Sequence, residues 1–120
     1  MFLEWKMVLC ALLVLNAMLW SSIFKQKPGG VEVTFLDVGH GDAITIGFPG
    51  GKNLLIDGGD KREAFDAGRR VIAPFLWRRG VRRLDAILLT HADQDHVGGI
   101  PTVLHYFEPK EVFESGLPKE

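Results

Sequence analysis

Four side chains able to bind a metal ion lie within the short segment that follows Thr90. They are two imidazoles and two carboxylates: His91, Asp93, Asp95 and His96. In extended backbone, alternate side chains point to opposite sides, so His91, Asp93 and Asp95 are expected on one side and the second imidazole on the other. Such a segment can serve two adjacent metal positions, and its nitrogen and oxygen ligands suit zinc, manganese or iron. The alternative is that the carboxylates only cap the next helix, but four ligands at this density favour metal.

The elements on either side of this segment must position it. Leu84–Leu89 is an apolar stretch interrupted only by Asp85, and it predicts a strand buried on both faces. On the other side, Gly98 and Gly99 allow a sharp turn into a helix predicted over 99–107. A last strand is predicted over Glu111–Glu114.

The upstream residues predict three strands followed by one helical stretch. The strands are expected over Val31–Leu36, Ala43–Phe48 and Lys52–Ile56. Pro49–Gly51 predicts the turn between the second and third of them. Phe65–Arg79 has helical periodicity and ends at Gly80, and Pro74 inside it predicts a kink or a restart. Strands and helices in this order indicate an α/β fold without internal repeats.

Several motifs together resemble one enzyme family. The stretch His91-Ala-Asp-Gln-Asp-His96 resembles the His-x-His-x-Asp-His signature of the metallo-β-lactamase superfamily, with Asp93 in place of a histidine. This departure is typical of the competence-related branch, similar to the C-terminal domain of ComEC-type DNA-uptake proteins. Stretches that agree with that branch are Phe35–Asp42, Asn53–Gly59 and Leu84–His91. His40 differs, since the branch usually has glutamine there. The resemblance extends from Val31 to about Gly116.

The resemblance implies a site with two divalent metal ions, zinc being expected and manganese the alternative. His91 and Asp93 would bind one ion, and Asp95 and His96 the other. Asp95 is also expected to orient the attacking water, which makes it the candidate catalytic residue. Two such ions can activate water and neutralise charge on a phosphoryl or acyl oxygen.

The resemblance also implies supporting residues in the loops after the first and third strands. Asp57 resembles the family residue that supports the loop carrying the metal ligands. A turn formed by Asp-Gly-Gly explains an aspartate there equally well. Asp37, His40 and Asp42 are expected to line the site, and local turn chemistry is again the alternative.

A complete domain of this family is an αββα sandwich of roughly twice this length, with further ligands in its second half. After His96 the chain contains His105, expected to be a surface or packing histidine rather than a ligand, and no aspartate. We therefore expect the N-terminal half of the sandwich, as a fragment rather than a degenerate remnant, inactive by itself and lacking its second half as a partner. One apolar sheet face and an edge strand would be uncovered.

Basic residues concentrate between Lys61 and Arg83, where eight basic and two acidic residues give a net charge of +6 in a chain of net charge −1. Such a stretch near a metal centre suits DNA or another phosphodiester, because phosphate contacts dominate affinity. The alternative is that each arginine only lies on the polar side of a helix or offsets the dipole at the helix C-terminus. The candidates for DNA contact are Arg69, Arg70, Arg78, Arg79, Arg82 and Arg83.

Met7–Phe24 is an uncharged, apolar run of 18 residues. As a helix it would span roughly 27 Å, close to the ~30 Å hydrocarbon thickness of a bilayer. Trp5 and Trp20 suit the membrane interfaces, and the poor small-x-small sites after the run disfavour a cleaved signal peptide. We expect one uncleaved anchor, with flanking lysines (Lys6, Lys25 and Lys27) that leave its orientation open.

Length and composition allow one small domain in addition to this anchor. The chain has 120 residues, of which 47% are hydrophobic and 24% charged, so disorder is excluded. A single cysteine, Cys10, excludes a disulfide scaffold and a cysteine-based zinc finger. We expect the anchor over 1–27, a linker over 28–30 and the metal-binding domain over 31–120, on the extracytoplasmic side of the membrane.

These observations predict a membrane-anchored, metal-dependent hydrolase, a phosphodiesterase or nuclease that acts on DNA. One alternative is a non-catalytic, membrane-anchored DNA-binding module. Another is a hydrolase of a small ester, amide or nucleotide, because this fold does not fix the substrate.

Overall fold

The computed structural model describes residues 2–24 and 29–116. Its elements, in chain order, are α1 (Phe2–Phe24), β1 (Glu32–Phe35), β2 (Ile44–Gly47), β3 (Asn53–Ile56), β4 (Lys61–Arg62), β5 (Phe65–Asp66), a π-helical segment (Gly68–Ile72), α2 (Ala73–Arg78), β6 (Ala86–Leu89), α3 (Gln94–Val97), α4 (Ile100–Phe107) and β7 (Glu111–Glu114). The α/β fold predicted from the sequence is confirmed.

Five strands form one mixed sheet in the order β1-β2-β3-β6-β7. β1, β2 and β3 pair antiparallel, whereas β6 lies parallel to both β3 and β7. Because β3 and β6 are parallel neighbours, the residues that follow them meet at one edge of the sheet, where ligands of open α/β sheets bind. Asp57 follows β3, and Thr90 and His91 follow β6, so the topology brings them together.

One face of the sheet carries the core. Leu55 of β3 and Ile87 of β6 are paired in register and fully buried. They belong to the same buried cluster as Leu76 of α2 and as Val103 and Phe107 of α4. The two predicted helices therefore lie on the same side of the sheet as this buried row.

The opposite face of the sheet is open, and the prediction that Leu84–Leu89 is buried on both faces is wrong. Leu84 and Ile87 are fully buried, but Leu88 is only partly buried. The register places one apolar row on the open face: Phe35, Ile44, Ile56, Leu88 and Phe113. Phe35 is 75% exposed at one end of this row. The expected uncovered sheet face is thus present.

The helical stretch begins later than predicted. Phe65 and Asp66 pair with Arg62 and Lys61 in a small hairpin, a separate two-stranded sheet too short to show strand periodicity. The chain then enters the π-helical segment, where the Ala73 N–H donates to the Gly68 carbonyl five residues earlier.

Pro74 lies in the first turn of α2, where its missing N–H costs least. The restart predicted at this proline is therefore a change from π-helical to α-helical hydrogen bonding. Gly80, at φ +71°, follows the end of α2 as predicted.

Helix α1 is apolar over its whole circumference, and its described side chains are exposed. Within it, Glu4–Ser21 is long and apolar enough to cross a membrane. Trp5 and Trp20 lie near opposite ends of that span, and Cys10 is exposed between them. Lys25, Lys27 and the first residue of the predicted linker, Pro28, lie outside the described residues, as do 117–120.

Candidate metal centre

Asp57 connects the ends of β3 and β6. It is 2% exposed, and its carboxylate accepts hydrogen bonds from the Thr90 backbone N–H (2.9 Å) and from the Thr90 hydroxyl (2.6 Å). Its own N–H donates to the Leu88 carbonyl (2.9 Å). Asp57 has φ +55°, a left-handed conformation that aspartate adopts more readily than most residues.

Asp57 also orients one predicted metal ligand. Its Oδ2 lies 3.0 Å from Nδ1 of His96. Because an ionised carboxylate only accepts hydrogen bonds, Nδ1 of the imidazole carries the proton in this pair. Nε2 of His96 then has a free lone pair that can bind a metal ion. Carboxylates orient metal-binding histidines in this way.

The same hydrogen-bond network indicates which ring nitrogen of His91 carries the proton. The Thr90 hydroxyl donates its single hydrogen bond to Asp57, and its Oγ1 lies 2.9 Å from Nδ1 of His91. A hydroxyl that has donated its proton can only accept, so this Nδ1 also carries a proton. The imidazoles of His91 and His96 stack with centroids 3.8 Å apart, each with Nε2 free.

Each free imidazole nitrogen has one carboxylate beside it. Oδ2 of Asp93 lies 3.5 Å from Nε2 of His91, and Oδ2 of Asp95 lies 3.6 Å from Nε2 of His96. These distances are longer than hydrogen bonds. The donors therefore form two imidazole–carboxylate pairs of the kind that suits zinc or another borderline-to-hard divalent ion.

Asp57, His91 and His96 also offer one ligand atom each, with the three atoms within 4.8 Å of one another. We favour a positioning role for Asp57 in this group. Its two oxygens already accept three hydrogen bonds, two from Thr90 and one from the imidazole of His96.

The metal loop, residues Thr90 to Gly99, is not extended as predicted. Asp95 and His96 lie in helix α3, and Asp93 stands at its N-cap position. The Asp93 carbonyl accepts the N–H of His96 (2.9 Å), which closes the turn. The Asp93 side chain makes no capping hydrogen bond, so its carboxylate is free for another partner. A four-residue helix is too short to show helical periodicity, which is why the pattern missed it.

Glycines bring two segments into contact with α3, the loop from Phe35 to Asp42 and the turn after β3. A Cβ added to Gly41 would lie 1.6 Å from the carbonyl oxygen of Asp95. The Gly58 N–H donates to the His96 carbonyl (2.6 Å), and the Gly59 N–H to the Asp42 carbonyl (2.9 Å). The backbones of both segments therefore contact the metal loop directly.

Three residues of the loop from Phe35 to Asp42 were predicted to line the site, and of these Asp42 is the one near the metal loop. Its Oδ2 lies 3.9 Å from Nδ1 of His96. Asp37 instead accepts the N–H of Gly39 (3.2 Å) in a local turn. The exposed His40 side chain has no hydrogen bond or ion pair within residues 2–24 and 29–116. Asp37 and His40 thus make no polar contact with the metal loop.

Two of the six candidate arginines have structural partners. Arg79 forms a bidentate ion pair with Glu32 of β1, and its guanidinium lies over the ring of Phe75. Arg83 donates to the Glu108 carbonyl (3.1 Å) at the end of α4. In the described part of the chain, the guanidinium groups of the other four have no hydrogen-bond or ion-pair partner: Arg69, Arg70, Arg78 and Arg82.

Sequence reasoning did not single out Thr90, although its hydroxyl sets the proton positions of the site. A threonine placed between a buried strand and a histidine was the available signal. His105 is exposed, which agrees with the surface alternative of its prediction rather than the packing one, and its ring lies near that of Tyr106.

Comparison with known proteins places these motifs in a family. The profile of the metallo-beta-lactamase superfamily matches residues 36–116. The chain is 37% identical to ComE operon protein 3 of Bacillus subtilis over 68% of this chain and 12% of that protein. It is 37% identical to Recombination protein 2 of Haemophilus influenzae (75% and 11%) and 38% identical to Competence protein ComA of Neisseria gonorrhoeae (59% and 10%).

The chain therefore spans about a tenth of the length of these curated relatives. A solved metallo-beta-lactamase structure with a HARLDQ motif, from Cronobacter sakazakii, matches with a TM-score of 0.45 and 23% identity. That match covers 76% of this chain and 34% of the other. The resemblance recognised from the sequence motifs is confirmed by the family profile and the three relatives.

Proposed function

Because the chain belongs to the metallo-beta-lactamase superfamily, we propose that it carries the front part of a metal-dependent phosphodiesterase or nuclease that acts on DNA. The observation that carries the proposal is the pair of imidazoles with free Nε2 atoms, each facing one carboxylate. Members of this superfamily typically bind divalent metals, and the donor set here suits zinc, with manganese as the alternative.

The residues of the site would divide the work. His91 and Asp93 would hold one ion, and Asp95 and His96 the second. Divalent ions in such a site supply Lewis acidity toward a phosphoryl oxygen and make a bound water acidic. Asp95 would accept a proton from the attacking water and orient it. Asp57 and Thr90 would keep the imidazole protons at Nδ1, so that both Nε2 atoms stay available.

Two observations support DNA as the substrate. Two of the relatives carry the names of a recombination protein and a competence protein. The stretch from Lys61 to Arg83 has a net charge of +6, and four of its arginines are unpartnered among the described residues. Free guanidinium groups suit the phosphates that dominate DNA affinity.

We place this domain at a membrane. Helix α1 has the length and composition of a span, and the proposed division is an anchor over 1–27, a linker over 28–30 and the domain over 31–120. The extracytoplasmic side is the proposed location of the domain.

The site offers two protein donors for each ion, whereas catalytic zinc sites use three. Further ligands would therefore come from outside the described residues. The same observation favours a second candidate function, a non-catalytic DNA-binding module at the membrane.

Cleavage of labelled DNA by the complete gene product, with added zinc or manganese, tests the proposal. The variants His91→Ala and Asp95→Ala are expected to abolish cleavage and to leave DNA binding in place. His105→Ala, which removes an exposed histidine away from the site, is the matched control and should cleave normally. Salt-dependent DNA binding without metal-dependent cleavage would select the binding module, and cleavage that survives both variants would contradict the assigned site.

A further inference from the structure

A basic pocket lies between the β4–β5 hairpin and the start of the π-helical segment. Its volume is about 280 Å³. Four basic and two acidic residues contribute to its lining, which consists of Lys61, Arg62, Glu63, Ala64, Phe65, Asp66, Arg69 and Arg70. The pocket therefore has an excess of positive charge and is open to an anion from solvent.

The charges of this pocket fall into two groups. Lys61 is paired with Asp66 (3.3 Å), and Arg62 is paired with the buried Asp60. Arg69, Arg70 and Glu63 are exposed, and their charged groups have no partner among the described residues, which leaves one net positive charge. The two arginines carry the positive charge that is available to a ligand.

Asp66 fixes the hairpin and is not free to neutralise these arginines. Its carboxylate accepts the Thr102 hydroxyl (2.6 Å) and the Arg69 backbone N–H (3.0 Å), in addition to the Lys61 ion pair. Burial acts to raise the pKa of Asp66, but these hydrogen bonds outweigh it and hold the pKa below the ordinary value of 3.8. The carboxylate therefore remains ionised and committed to these partners at neutral pH.

The pocket adjoins the metal loop through close backbone contacts. The side-chain amide of Gln94, in α3, donates to the Lys61 carbonyl (3.1 Å). A Cβ on Gly98 would lie 2.5 Å from the Lys61 nitrogen, and one on Gly68 would lie 2.3 Å from the Gly99 carbonyl oxygen. Such contacts leave no room for a side chain, so the hairpin is held directly beside the helix that carries Asp95.

We propose that this pocket binds a phosphate group of the DNA strand whose neighbouring phosphodiester lies at the metal centre. Arg69 and Arg70 are the principal contacts, since a guanidinium fork can donate two parallel hydrogen bonds to one phosphate. Gln94 of α3 contacts Lys61 of the pocket, and the same helix carries Asp95 and His96. The pocket and the metal loop are therefore adjacent, and one DNA strand can contact both. This inference rests on the proposed function and names its substrate-binding subsite.

The test is metal-free DNA binding by the full chain in a non-ionic detergent. Fluorescence anisotropy of a labelled oligothymidylate, with a chelator present, is measured over a range of salt concentrations. The double variant Arg69→Gln/Arg70→Gln is expected to bind about tenfold more weakly and to lower the salt slope by about 0.7, the amount that one lost single-strand phosphate contact removes. Arg69→Lys/Arg70→Lys should recover part of the affinity, because lysine keeps the charge and loses the fork.

Arg78→Gln/Arg82→Gln is the matched comparison, since it removes the same charge from two unpartnered arginines outside the pocket. It should weaken binding clearly less than the pocket variant does. Equal losses in the two variants would overturn the subsite, as would the absence of DNA binding by the unchanged chain. Because the assay excludes metal, its outcome is independent of the cleavage experiment. If the unchanged protein binds DNA in this way but shows no metal-dependent cleavage, the hydrolase is overturned and the subsite stands.

Discussion

The buried carboxylate of Asp57 determines which atoms of two histidines are free. It accepts hydrogen bonds from the Thr90 hydroxyl and from Nδ1 of His96, and through the threonine it orients His91 as well. The two interpretations of this aspartate, a turn residue and a brace for the metal loop, are compatible. Its positive φ serves the turn, and its carboxylate contacts the metal loop.

At this scale, Asp57→Asn should weaken metal binding by about 10- to 100-fold, the usual effect of losing a hydrogen-bonding partner behind a metal ligand. Asparagine tolerates the left-handed backbone, so the variant changes the hydrogen bonding rather than the turn. Its amide offers a single acceptor oxygen to three donors. Titration with cobalt, followed by its absorption spectrum, measures the affinity. Glu111→Gln, an equivalent change on exposed β7, is the control, and an unchanged affinity in Asp57→Asn would contradict the role.

Among the elements, the loop from Phe35 to Asp42 and helix α3 form the tightest junction of the site. Gly41 and Gly39 both have φ +78°, but their surroundings differ. A Cβ at Gly41 would collide with the Asp95 carbonyl, whereas one at Gly39 would meet nothing within 4 Å. Because the two glycines have the same φ, substituting each of them separates the effect of backbone strain from the effect of steric contact.

Gly41→Ala should destabilise the chain more than Gly39→Ala and should also weaken metal binding. Both variants pay the left-handed penalty, about 1 to 2 kcal/mol. Only Gly41→Ala must also displace the backbone of α3. An extra 1 kcal/mol corresponds to roughly 4 to 8 °C in Tm for a domain of this size. Thermal unfolding followed by circular dichroism gives the two values, and equal Tm values would show that the junction does not contribute.

At the scale of the whole molecule, apolar side chains are exposed along helix α1 and on the open face of the sheet. Val33, Phe35 and Phe113 are each about half exposed or more on that face. Soluble monomers rarely present a large continuous apolar patch. The open face is therefore an aggregation hazard whenever it is uncovered, separately from any membrane contact made by α1.

Membrane association through α1 is a prediction at this scale. Replacing Leu13, near the middle of the span, by lysine should move much of the protein out of the membrane fraction, because a central lysine costs about 2.5 to 3.5 kcal/mol. Ser21→Lys, at the end of the span, should have little effect because lysine can reach the interface. Carbonate-washed membranes and immunoblotting give the distribution. An unchanged chain found in the soluble fraction would refute the anchor.

The sequence by itself determined the main strands, the helix at Ile100–Phe107, the apolar span and the family. Each depends on residues close together in the chain, whose alternation or spacing is visible without the fold. The four proposed metal ligands were also found in this way, since their types and density lie within one loop. Elements of two to four residues, β4, β5 and α3, escaped because they contain too few residues for a period.

Only the tertiary structure decided how those ligands are oriented and which charges remain free. The Thr90–Asp57 contact joins residues 33 positions apart, and the Arg79–Glu32 pair joins residues 47 apart. Spacing along the chain carries no signal for such pairs, because they arise from strand order and from close packing at glycines. Sequence alone therefore treated six arginines alike, whereas the fold commits Arg79 and Arg83 to structural contacts and leaves the guanidinium groups of Arg69 and Arg70 without a partner among the described residues.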